Sequence, residues 1–254
     1  MLAISWHKLL TLSLWISPHV LLCVLVVILY KRRLYRQFPC FFAYALYEIG
    51  EFILMFTLRS TPSITGQQYA NAYYGTLLLS VALRFGVIDE VSRDLFRNSQ
   101  FLQVAAKRSL FCITALLMLV SVLLAVYEPG GNTLKWIAGV SVVNRGAAMV
   151  QLGLLLSLLL ISRFLGLSWR SAAFGITLGL GILTSIDFAT YALRAEFTSG
   201  AGAEVLNLLK TGSFFICVLI WIRYSLAPEL EPALTVAAQD EVETWNKELQ
   251  QWLR

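Results

Sequence analysis

Residues 171–193 read SAAFGITLGLGILTSIDFATYAL, an apolar run in which Asp187 is the single charged side chain. A helix needs about 20 mostly apolar residues to cross a bilayer, and this run is long enough. Surface helices and half-buried strands interrupt their apolar positions with polar ones at a regular period, which this run does not do. The stretch therefore predicts a membrane-spanning helix.

Six further apolar runs surround this stretch, at residues 9–30, 39–58, 69–88, 109–127, 134–162 and 203–226. Turn signals such as Pro129-Gly130-Gly131 separate them. Helices are expected in every run, because lipid offers no hydrogen-bond partner to a free backbone amide. The sequence predicts an all-α, polytopic bundle of seven transmembrane helices over residues 1–226, followed by a tail at 227–254.

Composition supports a membrane protein. Hydrophobic residues make up 58% of the chain and charged residues 14%, whereas a soluble domain has roughly 25% charged residues. The loops are too short for a separate domain, so a ligand site is expected within the bundle or on its cytoplasmic face. We expect a multi-pass protein of a cell membrane, bacterial inner membrane being the favoured location.

Basic residues predict the orientation of the bundle. Thirteen Lys and Arg lie after the first, third and fifth predicted spans, at the end of the seventh, or in the tail, against four on the other side. Because cytoplasmic loops carry the excess of Lys and Arg, the N-terminus is expected outside and the C-terminus in the cytoplasm.

Six ionisable side chains fall inside the predicted spans, where such groups are expensive and often functional. They are Glu48, Glu51, Arg84, Arg145, Asp187 and Lys210. At a rise of about 1.5 Å per residue, Glu51, Asp187 and Lys210 share a layer roughly 10 Å below the outer surface. Glu48 and Arg145 form a deeper layer. Arg84 is expected to extend toward the cytoplasmic end.

Two interpretations of this charged core stay open. Glu48, Glu51, Arg145, Asp187 and Lys210 could be ion pairs that hold the helices in register, or they could line a polar pocket for a small ligand or ion. The pattern Gly175-x-x-x-Gly179 indicates close helix packing.

The topology and Lys210 together resemble the microbial rhodopsins, which hold retinal through a lysine in the seventh span. The resemblance implies a retinal Schiff base on Lys210, with Asp187 or Glu51 as counter-ion. The chain departs from that family at Leu206, where the family has an acid, and it lacks a carboxylate in the middle of the third predicted span.

No catalytic motif or metal-ligand set occurs in the sequence, so no enzyme activity, cofactor or metal is expected. The leading interpretation is a non-enzymatic sensor or signalling module with a polar charged core. A small-solute or ion transporter is the alternative, and a retinal photoreceptor is more remote.

The tail is expected to contribute a short amphipathic helix. Its apolar stripe is Val242, Trp245, Leu249 and Trp252, which recur at helical spacing. Such a helix could lie on the bundle or on the membrane interface, or its stripe could dock a cytoplasmic protein or a second copy of the chain. The bilayer is the other expected partner. No nucleic acid is expected.

Topology is directly testable. Reporter fusions after Arg32 and after Arg254 should both report a cytoplasmic location, because both positions lie on the predicted basic side. An external location for the tail would contradict the orientation.

Overall fold

The computed structural model describes residues 6–95, 132–164, 171–193 and 201–227, together with Cys112. These ranges form six α-helices and no strand. The α-helices are α1 (Trp6–Lys31), α2 (Pro39–Ser60), α3 (Gly66–Leu95), α4 (Asn132–Phe164), α5 (Ala172–Leu193) and α6 (Ala201–Leu226). A short 3-10 helix, Leu34–Arg36, connects α1 to α2.

Four stretches of these helices are long and apolar enough to cross a membrane. They are Pro39–Ser60, Val143–Leu160, Ala172–Thr190 and Glu204–Leu226. In α1 the stretch Ile16–Lys31 is also apolar, and in the sequence its apolar run begins at residue 9. Helix α3 carries charged residues along its second half. The four apolar helices indicate a multi-pass membrane protein. The span predicted at 109–127 lies outside the described residues, apart from Cys112, so the count of seven and the orientation stay predictions.

The helices pack in chain order. Each described α-helix contacts the next one, α1 contacts α6 to close a ring, and α3 also contacts α5 across it. The α1–α2 connection and the end of α6 meet where the Arg32 guanidinium donates a hydrogen bond to the Ala227 carbonyl oxygen, at 2.9 Å. We call this the basic end of the bundle, because Lys31, Arg32, Arg33 and Arg36 lie there.

Apolar residues occupy both the inside and the outside of the ring. On α1, Leu22, Leu25 and Leu29 are buried, whereas Val20 and Val24 are exposed. A helix that is apolar on all sides suits a lipid environment, since a water-facing side would be polar.

The inner face is completed by Trp221 of α6, which is 1% exposed. The Phe41 and Tyr44 rings of α2 lie against this indole at centroid distances of 5.2 and 6.2 Å, edge to face. Edge-to-face pairs add to the stabilisation from burial, so Trp221 links α6 to α2 across α1.

Two glycines of α5 let α6 approach closely. A Cβ atom at Gly175 would overlap the Tyr224 side chain, and one at Gly179 would overlap the Trp221 indole. The spacing Gly175-x-x-x-Gly179 thus packs two aromatic side chains directly on the α5 backbone.

Gly179→Ala is expected to lower the thermal stability of the detergent-solubilised protein. The added methyl group overlaps a buried indole, and overpacking costs about 1–3 kcal/mol. Gly181→Ala is the matched control on the same helix, because no atom lies within 4 Å of a Cβ there; it should be neutral or slightly stabilising. Equal thermal unfolding midpoints for the two variants would contradict the close packing of Trp221 on Gly179.

Candidate functional site

A polar ladder joins α2 to α3. The Thr76 hydroxyl donates a hydrogen bond to the Glu51 carboxylate and the Ser80 hydroxyl donates one to Glu48, both at 3.0 Å. The Tyr47 hydroxyl donates to the Thr76 carbonyl oxygen at 2.5 Å. Later positions on α3 therefore lie opposite earlier positions on α2, so the two helices run antiparallel with their polar faces in contact.

The same register continues to the start of α2. The Glu90 carboxylate of α3 accepts hydrogen bonds from the backbone N–H groups of Cys40 and Phe41, at 2.8 and 2.9 Å. The residue before α2, Phe38, provides no side-chain cap, so Glu90 satisfies amides that the helix itself leaves free. Burial raises the pKa of Glu90 above its ordinary value, and the two N–H groups partly offset that rise.

The register of α5 against α6 is fixed near the basic end. The Cys217 thiol donates to the Gly179 carbonyl oxygen at 3.1 Å, and the Trp221 indole N–H donates to the Ile176 carbonyl oxygen at 3.4 Å. Later residues of α6 thus lie opposite earlier residues of α5. Continued toward the other end, this antiparallel register brings Lys210 opposite Asp187.

Asp187 is the centre of the charged core. Its Oδ2 atom accepts a hydrogen bond from Nη1 of Arg84 at 2.8 Å, and its Oδ1 atom lies 3.3 Å from Nζ of Lys210. The Asp187 side chain is 5% exposed, against 13% for Arg84 and 39% for Lys210. Asp187, Arg84 and Lys210, which we call the ionic triad, therefore link α5 to α3 and α6.

The triad differs in part from the expected layer of Glu51, Asp187 and Lys210. Asp187 and Lys210 come together as their depths suggested, but the Glu51 carboxylate bonds to Thr76 instead. Arg84 takes the third place rather than extending to the cytoplasmic end, because α3 contacts α5 and presents the guanidinium to a buried carboxylate. Depth along single helices could not reveal which helices meet.

The expected layer of Glu48 and Arg145 does not form. Arg145 is exposed on α4, and no ion pair joins it to a carboxylate of the described residues. The inward side of α4 instead presents Asn144, Ala147 and Gln151, all buried. Arg145 follows Asn144 by about 100° around the helix, which turns it away from that face.

Several buried polar atoms around the triad have no hydrogen-bond partner within the part of the chain that the structure describes. They are the Tyr44 hydroxyl, Arg84 Nε, the Thr184 and Thr190 hydroxyls, and Asp187 Oδ1. Thr184 and Thr190 lie three residues before and after Asp187 and so share its face of α5. The Tyr44 ring centroid lies 5.9 Å from the Arg84 guanidinium carbon. Unpartnered buried polar groups are uncommon, and their grouping indicates a place for a further polar species.

Lys210 approaches Asp187 less closely than Arg84 does. The separation of 3.3 Å satisfies the ion-pair distance, yet Oδ1 accepts no hydrogen bond from a described residue. Arg84 is thus the closer and more buried of the two cations beside Asp187.

No three His, Cys, Asp or Glu side chains meet as a possible metal site among the described residues. The tail stripe of Val242, Trp245, Leu249 and Trp252 lies outside the described residues, and its role stays a prediction.

Comparison with protein-family models, curated proteins and solved structures finds no match to this chain.

A double-mutant cycle tests the triad. Arg84→Met or Asp187→Asn alone should destabilise the protein by about 3–5 kcal/mol, because each removes the closest charged partner of a buried ionised group. The double variant should lose less free energy of unfolding than the two single variants lose together. Lys210→Met should also destabilise the protein, because it removes one of the two cations beside the buried Asp187 carboxylate. Thermal and denaturant unfolding in detergent measures all four, and additive losses for Arg84 and Asp187 would contradict the pair.

Proposed function

We propose that this chain is a non-enzymatic membrane sensor or signalling module that binds a small ligand at its charged core. The observation that carries the proposal is the group of unpartnered polar atoms around the ionic triad. A core built only to hold helices in register would be expected to pair its buried hydrogen-bonding groups with one another. These atoms instead gather around one carboxylate shared by two cations.

Burial supports a binding role for these atoms. Tyr44 is fully buried, Thr184 is 1% exposed and Thr190 is 4% exposed. Leaving a buried hydroxyl without a partner costs about 1–3 kcal/mol. A ligand that satisfies several of these groups at once would recover that cost on binding, and this recovery favours the bound form of the bundle.

A continuous set of contacts leads from the triad to the basic end. Arg84 lies on α3 less than two turns before Glu90, whose carboxylate holds the first amides of α2. Tyr44 packs on Trp221, and α6 ends where Ala227 accepts the hydrogen bond from Arg32. A shift of Arg84 or Tyr44 on ligand binding would therefore act on the start of α2 and on the end of α6, which both lie at the basic end.

The proposed output is a change at the basic end, passed to a cytoplasmic partner. The predicted tail helix comes after α6 in the chain, which supports it as the docking element. The sequence contains no recognisable nucleophile or metal set, and this favours a signalling role over catalysis.

Amide hydrogen exchange tests the connection between core and end. Thr184→Val removes one unpartnered hydroxyl with little change in shape, so it should shift the balance of bundle conformations. We expect amide exchange within residues 32–38 to change about fivefold or more, which corresponds to a coupling of about 1 kcal/mol.

Thr177→Val is the matched control on the same helix. Thr177 is fully buried, but its hydroxyl already donates to the Ala173 carbonyl oxygen at 2.8 Å, and it lies outside the ionic triad. Exchange at residues 32–38 should match wild type in this variant. Identical exchange in both variants and wild type would argue against a sensor built on this core.

A further inference from the structure

The charged core has more acids than cations among the described residues. Arg84 and Lys210 both pair with Asp187, while Glu48 and Glu51 bond to hydroxyl groups of α3. Three carboxylates against two cations leave a net charge of −1 when all five groups are ionised. One bound proton would make the set neutral, and charge within a membrane is costly.

The two glutamates differ in how their hydroxyl partners are engaged. The Ser80 hydroxyl donates to Glu48 at 3.0 Å. Thr76 Oγ1 has two acceptors within reach, because it lies 3.0 Å from Oε1 of Glu51 and 2.9 Å from the Tyr73 carbonyl oxygen. Ser80 can therefore satisfy an ionised Glu48, whereas Thr76 is shared between Glu51 and its own helix.

A count of protons at Thr76 shows what the second contact requires. A hydroxyl group has one proton to donate, and the Tyr73 carbonyl oxygen has none. With Glu51 ionised, the Thr76 proton must be divided between two acceptors. With Glu51 protonated, the carboxylic acid donates to Thr76 Oγ1 and the Thr76 hydroxyl donates to the Tyr73 oxygen. Both short contacts are then complete hydrogen bonds, so the geometry around Thr76 favours a proton on Glu51.

The groups around Glu51 come from its own helix and from three others. Glu48 lies three residues before it and shares its face of α2, so two ionised carboxylates there would repel one another. The cations are Arg84 and Lys210, which already pair with Asp187. A proton on Glu51 removes the repulsion. The titratable and charged groups that act on Glu51 or lie beside it are Glu48 and Tyr47 of α2, Arg84 of α3, Lys210 of α6, and His19 of α1, whose ring stacks on Phe52.

We infer that Glu51 is a reversible proton-binding site within a membrane-spanning helix, with Thr76 as its hydrogen-bond partner. On uptake, the proton bonds to a carboxylate oxygen of Glu51, and the Thr76 hydroxyl turns to donate to the Tyr73 carbonyl oxygen. Release reverses both changes, while Glu48 stays ionised and accepts from Ser80. The site goes beyond the proposed function and uses none of the unpartnered atoms on which that function rests, so either can fail without the other.

Infrared difference spectroscopy of the full chain in detergent tests the site, because a protonated carboxyl group has a C=O band that a carboxylate lacks. As the pH is lowered from alkaline values, one carboxyl band should appear before all others. It should be absent in Glu51→Gln and present in Glu48→Gln, the matched change three residues away on the same face. A first band that Glu48→Gln removes, or that neither change removes, would overturn the inference.

The hydrogen-bond partner provides a second measurement that leaves both acids in place. Thr76→Val removes the proposed acceptor, so the Glu51 band should move to higher frequency, as expected for a carboxylic acid that no longer donates a hydrogen bond. Ser80→Ala is the matched control on the same face of α3 and should leave the band where it is. An unmoved band in Thr76→Val, or an equal displacement in the two variants, would also overturn the inference.

Thermal unfolding in detergent provides a third. The amide of Glu51→Gln imitates the protonated acid, because its NH₂ group donates where the carboxylic acid would. This variant should unfold at the wild-type midpoint or above it. Glu48→Gln removes an ionised group that acts on Arg84 and should unfold at a lower midpoint. A lower midpoint for Glu51→Gln than for Glu48→Gln would count against a proton on Glu51.

Discussion

A carboxylate surrounded by apolar side chains must be paired, and Asp187 meets that constraint through Arg84 and Lys210. Because the partners come from α3 and α6, the charge on α5 fixes how three helices face one another. The Gly175 and Gly179 contacts with Tyr224 and Trp221 act on the same helix pair and set its spacing. Close backbone approach is what allows Lys210 to reach Asp187.

The second constraint is the polar face shared by α2 and α3. Glu51, Glu48 and the start of α2 are each satisfied from successive positions of α3, through Thr76, Ser80 and Glu90. This arrangement holds Arg84, the α3 member of the triad, beside the Tyr44 ring of α2. The polar contacts of α2 and α3 thus run from Glu51 to the first turn of α2, and the proposed signal from the triad would follow these contacts.

The sequence analysis did not place Arg84 in the ionic triad, although its spacing on α3 is regular. Arg84 follows Thr76 and Ser80 at steps of four, so a single α3 face carries all three partners of the α2 and α5 acids. That spacing was visible in the chain. Its meaning depended on an antiparallel α2–α3 pair and on an α3–α5 contact, neither of which follows from depth within separate spans. Arg145 is the opposite case. Its depth on α4 matched that of Glu48, but its side chain is exposed and does not lie on the inward face of the helix.

The sequence by itself determined the helical class and the apolar character of the chain, since long runs without charge have few stable conformations other than membrane helices. It also determined that Asp187 and Lys210 needed partners, because an isolated charge in such a setting is too costly. Only the tertiary structure decided that Arg84 would be the principal partner, that Glu51 would bond to a hydroxyl, and that Thr184 and Tyr44 would lie unpartnered beside the triad. Those outcomes depend on helix rotation and on which helices touch, and both are set by side-chain packing between segments far apart in the chain.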